Sequence, residues 1–133
     1  MSGNGEMVVG KFVQEKAQVH KDRPFLYFKE ETLTYAQVDS ISNQFANGFR
    51  ALGLEKNDKI AIMMINHPYY LHVWFGAAKL GVVEVPINTA YKGDLLKHLI
   101  NNSESRVLVI DSEFLDRLPL IQDDLPMLER IIC

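Results

Sequence analysis

The sequence has a single cysteine, Cys133, in its last position. One thiol cannot close an internal disulfide, which excludes a disulfide-stapled scaffold and fits a reducing, cytoplasmic setting. Long apolar runs are missing too. The longest, Ile60 to Ile65, is far short of the roughly 20 residues that a membrane-spanning helix needs. The opening MSGNGE lacks the basic-then-apolar order of a secretory leader. Lys and Arg number 14 against 17 Asp and Glu, a net charge of −3. No basic run forms the patch expected of a general nucleic-acid binder, so that class is set aside. Phosphate loops are absent as well. Neither G-x-G-x-x-G nor G-x-x-x-x-G-K-[ST] occurs, so no local motif cradles a nucleotide phosphate.

What is there reads as a folded α/β chain. At 133 residues, 47% of them hydrophobic, there is enough apolar material for one domain's core, and no low-complexity linker marks a second. Residues 1–6 are small and polar, a disordered end. A helical rhythm runs from Met7 to His20 and stops before Pro24. FLYFK and TLTY, on either side of Glu30-Glu31, read as a hairpin. Thr34 and Gln37 have capping-box spacing at the start of a helix. That helix carries an apolar face of Val38, Ile41, Phe45, Phe49 and Leu52. Gly53 stands where a left-handed residue ends it.

Strand and helix then alternate. KIAIMMI is apolar on both faces, as a buried parallel strand is. Pro68 suits the first turn of the next helix, which Gly81 ends. VVEVP is a strand, DLLKHLINN a helix that starts at Gly93 or Asp94, and RVLVID a buried strand. The tail EFLDRLPLIQDDLPMLERIIC predicts one or two short helices and a last strand, RIIC. The alternation predicts a mostly parallel sheet flanked by helices. In such sheets ligands lie beyond the carboxyl ends of strands, and RIIC reaches the end of the sequence with no such loop after it.

Candidate chemistry is sparse. His20, His67, His72 and His98 lack metal-ligand spacing and are read as packing or surface residues. Asp111, at the end of VLVID, sits where a phosphate-accepting or magnesium-binding carboxylate would sit in a receiver-like signalling domain. Its plainer role, shared with Ser112, is to cap the helix that follows. Tyr69, Tyr70, Trp74 and Phe75 lie on one helix and read as core, although they could border an apolar ligand. Gly76 and Gly81 are packing and capping glycines. Glu30-Glu31 and Asp123-Asp124 read as solvated turns rather than paired catalytic carboxylates.

Three stretches taken in order resemble the adenylate-forming, AMP-binding acyl-CoA synthetase family. They are LTYAQVDSISNQFANGFRALGLEKNDKIAIMMIN (33 to 66), WFGAAKLGVVEVPIN (74 to 88) and HLINNSESRVLVID (98 to 111). The resemblance extends from about Pro24 to Cys133. Asn57 replaces the Gly of the family's Gly-Asp turn, and Gln37 replaces a Glu; both residue types serve in those positions. VPIN leans toward acyl-CoA ligases, of the carnitine/crotonobetaine-CoA or fatty-acid-CoA type. The resemblance implies the N-terminal part of the large domain of the acyl-adenylate-forming fold. It implies an acid–thiol ligase that uses ATP, magnesium and coenzyme A: a carboxylate attacks the α-phosphate of ATP, and coenzyme A then displaces AMP. The family's phosphate loop, nucleotide contacts and catalytic lysine have no match in residues 1–133. No catalytic, cofactor-binding or metal residue is therefore assigned. The expectation is a segment of a ligase that is inactive by itself, partnered by the remainder of the ligase and prone to self-association. The alternative is a self-sufficient truncated homologue that acts as a binding or interaction module.

Overall fold

The computed structural model describes residues 2–133, with side chains from Val9 onward. The expected disorder of residues 1–6 falls on Met1, outside the described residues, and on backbone assigned to the first helix. The elements run α1 (Ser2–His20), β1 (Pro24–Phe28), β2 (Glu31–Thr34), α2 (Tyr35–Ala51), β3 (Lys59–Met63), α3 (Pro68–Leu80), β4 (Val83–Pro86), α4 (Gly93–Ser103), β5 (Val107–Ile110) and β6 (Arg130–Ile132). Two short 3-10 turns, Ser112–Arg117 and Gln122–Asp124, lie between β5 and β6. They take the place of the expected short helices. The chain divides into two compact units. The first comprises residues up to Asn57 together with Asn66–Val83, and the second comprises Asp58–Ile65 and Glu84–Cys133.

The first unit packs α1, α2 and α3 beside the β1–β2 hairpin. The hairpin is antiparallel, with Phe28 opposite Glu31, and Lys29 takes a positive φ of 54° at its turn. Local signals fix α2. The Thr34 hydroxyl accepts from the Gln37 N–H at 3.2 Å, and the Gln37 side chain accepts from the Thr34 N–H at 2.8 Å, so the capping box closes. Gly53 ends the helix at φ 88°. The buried stripe of α2 is Val38, Ser42, Ala46 and Phe49, rotated toward smaller residues than the sequence face predicted. Its cause is Gly76 on α3. A Cβ built there would lie 2.7 Å from the Phe45 Cβ and 3.1 Å from both the Ala46 nitrogen and the Ser42 oxygen. The backbones of α2 and α3 approach so closely that only small residues fit the crossing. Ser42 satisfies its buried hydroxyl within its own helix by donating to the Val38 carbonyl at 2.7 Å.

The second unit is built on a four-stranded sheet in the order β4-β3-β5-β6. β3 and β5 run parallel with Ile60 opposite Val107, and β5 and β6 run parallel with Val107 opposite Arg130. One face of the sheet, Ala61, Met63, Leu108 and Ile110, packs with Leu96 and Ile100 of α4 and with Phe114, Leu118, Ile121 and Leu125 of the tail. The other face, Ile60, Ile62, Val107 and Val109, is buried as well. Double burial explains why these strands read as continuous apolar runs. At the amino ends, the Arg106 guanidinium pairs with Asp58 at 2.6 Å and Glu129 at 2.7 Å, which draws together the starts of β3, β5 and β6. The Arg106 hydrogen bond holds the Glu129 carboxyl below its ordinary pKa, although its own desolvation opposes the shift.

Candidate functional site

Two places have the form of a site. In the second unit, the carboxyl ends of β3, β4 and β5 converge, where α/β sheets place ligands. The backbone N–H of Asp111 donates to the Met63 carbonyl at 3.1 Å, and the Ile65 N–H donates to the Asp111 carboxylate at 2.8 Å. Asp111 occupies the cap position of the following 3-10 turn, but its side chain makes no capping hydrogen bond there. The expected cap is thus corrected. The carboxylate reaches instead across to the end of β3, where it takes up an N–H past the last ladder partner. Ser112 is exposed.

The loop after Pro86 is tied down in the same way. The Asn88 side chain accepts from the Ala90 N–H at 2.8 Å, forming a side-chain turn. The Arg117 guanidinium donates to the carbonyls of Thr89 and Tyr91 and lies 4.6 Å from the Phe114 ring centroid. Arg117 carried no local signal in the sequence, since its partners are 26 and 28 residues away. No group of three or more His, Cys, Asp or Glu able to hold a metal occurs among the described residues. One oxygen of the Asp111 carboxylate is thus engaged by the Ile65 N–H, and neither phosphate-loop motif occurs in the sequence.

The second place is a pocket of about 380 Å³ in the first unit, walled by Val9, Val13, Phe25, Val38, Trp74 and Phe75. Phe12, Lys16, His20 and Tyr35 complete its lining. Aromatic contacts stiffen it. Phe25 meets Tyr35 edge-on at 4.9 Å and Phe75 at 6.1 Å, and Trp74 lies 5.1 Å from Phe75. Of the four aromatics read as core, Phe75 is buried, Trp74 and Tyr70 are half-buried, and Tyr69 is exposed.

The histidines have separate fates. His20 packs its ring at 5.2 Å from Tyr35. His98 is exposed on α4. His67 precedes Pro68 and caps α3, its Nδ1 accepting from the Tyr69 N–H at 3.2 Å. His72 is buried, and its Nδ1 has no hydrogen-bond partner. Burial, then the neighbouring His67, lower the His72 pKa. Both rings contact Tyr69, a proximity that their spacing of five residues did not predict. Glu30, Glu31, Asp123 and Asp124 are exposed, as solvated turns are. No nucleophile with an adjacent base emerges from these described contacts.

Comparison with known proteins supplies what this geometry leaves open. The AMP-binding enzyme family matches residues 13–132. The chain is 32% identical over 130 residues to long-chain fatty acid transport protein 6 of Mus musculus, covering 96% of this chain and 21% of that protein. It is 33% identical over 103 residues to the crotonobetaine/carnitine–CoA ligase of Salmonella paratyphi A, covering 74% of this chain and 20% of the ligase. Its fold superimposes on the Mycobacterium tuberculosis fatty acyl CoA synthetase with a TM-score of 0.87 at 28% identity, over 93% of this chain and 26% of that one. An anthranilate CoA ligase bound to anthranoyl-AMP matches equally, at 0.87 and 27% identity, over 92% of this chain and 24% of that one. The chain thus spans about a fifth of the length of the curated relatives it matches. It belongs to the AMP-binding enzyme family, and its α/β architecture is that of the acyl-adenylate-forming enzymes.

Proposed function

We propose that this chain is a scaffold portion of an ATP-dependent acyl-CoA ligase and has no ligase activity by itself. One observation carries the proposal. The family match takes in 13–132, yet the strand ends where such a sheet would act are closed by internal bonds from Asp111, Asn88 and Arg117. In the longer enzyme, carboxylate activation by ATP and capture by coenzyme A would rest on residues outside this segment. This chain would hold the loops after β3, β4 and β5 in register beside them. The carboxylic acid would be chosen outside the segment as well. A reducing, cytoplasmic setting belongs to the same proposal and rests on the lone thiol of Cys133.

A chimera tests this. The matching segment of the Mycobacterium tuberculosis fatty acyl CoA synthetase is replaced by this chain, and carboxylate-dependent pyrophosphate release is measured. The folded chimera should keep the host's order of preference among carboxylates, while this chain alone releases none. A changed order would place substrate selection within the segment. Release by the chain alone would overturn the scaffold role.

A further inference from the structure

We infer that the aromatic pocket of the first unit is a binding site for an uncharged bicyclic aromatic molecule that carries one hydroxyl or N–H, of the type of a naphthol or an indole. Such a ligand is neither the carboxylic acid nor the nucleotide of the proposed ligase reaction, so the site stands or falls apart from that reading. Size comes first. At about 380 Å³ the pocket exceeds the dry apolar cavity of about 150 Å³ that takes up benzene. It falls in the lower part of the roughly 300–1,000 Å³ range of small-molecule sites.

Wall chemistry selects a flat ring. Six of the ten lining side chains are aromatic: Phe12, His20, Phe25, Tyr35, Trp74 and Phe75. Phe25 meets Tyr35 at 89° and Phe75 at 81°, so ring edges as well as ring faces are held in fixed orientation. Edge-to-face and offset contacts favour an aromatic guest over a saturated one of equal area. Charge selects a neutral guest. The other lining residues are Val9, Val13, Val38 and Lys16. A cation would meet the Lys16 ammonium and no counter-charge. An anion would lose its hydration among walls whose one ammonium is exposed and lies 5.3 Å from the Phe12 ring centroid. One polar handle remains. Tyr35 and His20 are half-buried in the lining with their rings 5.2 Å apart. Neither the Tyr35 hydroxyl nor the His20 ring forms a hydrogen bond with another described residue. A single hydroxyl or N–H on the guest pairs with the Tyr35 hydroxyl. The guest touches α1, β1, α2 and α3 together, which stabilises the first unit by mass action.

Trp74 lines the pocket and is the chain's sole tryptophan, so its indole N–H gives one nuclear magnetic resonance that reports on this place alone. The isotope-labelled chain is titrated with naphthol, naphthalene, decahydronaphthol and naphthoate. Naphthol should move that resonance saturably and bind about fivefold more tightly than decahydronaphthol. Tyr35→Phe, which keeps the ring, should weaken naphthol about fivefold and leave naphthalene unchanged. Naphthoate should bind more weakly than naphthol. Absence of a saturable shift would overturn the assignment. So would equal affinity for naphthol and decahydronaphthol, a naphthol affinity untouched by Tyr35→Phe, or tighter binding of naphthoate, which would mark an acid site instead.

Discussion

Asp111 shows how a residue in a functional position can have a structural task. Its place at the end of a buried strand was legible in VLVID, and so was the choice between a reactive carboxylate and a cap. Its actual partner was not legible, because the Ile65 N–H is 46 residues away in the chain and no local pattern encodes that distance. Replacing it frees an exposed donor just past the end of β3, which water can reach. Asp111→Ala should cost about 0.5–1.5 kcal/mol by chemical denaturation and speed exchange of the Ile65 amide. Unchanged exchange would show that the bond contributes nothing. Gly76 makes the converse case. The sequence marked it as a packing glycine, but only the crossing shows what it packs against. Its would-be Cβ meets backbone atoms of α2 as well as the Phe45 Cβ, and helix backbone yields little. Gly76→Ala should destabilise the fold by about 1–3 kcal/mol, despite the better helix propensity of alanine. Asn57 adopts φ 74° and donates its N–H to the Gly81 carbonyl at 2.8 Å, the conformation its replacement of a turn glycine required.

Elements whose signals are local were legible from sequence: the hairpin around Glu30, the Thr34–Gln37 box, Pro68 at the start of α3 and Gly81 at its end. The face that a helix buries was less so. On α2 the stripe passes through Ser42 and Ala46 because a neighbour's missing side chain, not hydrophobicity, sets the approach. Gly10 does the same for α1, where an added Cβ would lie 2.9 Å from the Lys79 Cα. Beside that contact the Lys79 ammonium bonds to Asp39 and, at 2.7 Å, to Asn43, joining α3 to polar residues of α2 that lie off its apolar face. The start of α3 carries a pH dependence. The buried His72 has a folded pKa below the ordinary value of about 6.5, so the unfolded chain takes up its proton first. Stability from this group is therefore full above about 6.5 and falls as pH drops toward the lower folded value. Unfolding midpoints should decline across that window, and His72→Phe should flatten the decline. A midpoint independent of pH there would remove His72 as its source.

At the scale of the molecule, fold class and family were legible because strand–helix alternation and the three stretches at 33 to 66, 74 to 88 and 98 to 111 are properties of the linear chain. The division into two compact units was not, since each unit is assembled from two separated segments. A site of reaction could not be read at all. The described residues hold strand ends bonded by their own side chains, a capping His67 near the buried His72, and an aromatic pocket. Titration calorimetry of this chain, after its cooperative unfolding has been verified, with magnesium–ATP and then with a non-hydrolysable acyl-adenylate analogue, tests the scaffold role most directly. Neither should give saturable heat. Stoichiometric binding of either, lost in Asp111→Ala, would contradict it and place a nucleotide site at the ends of β3 and β5.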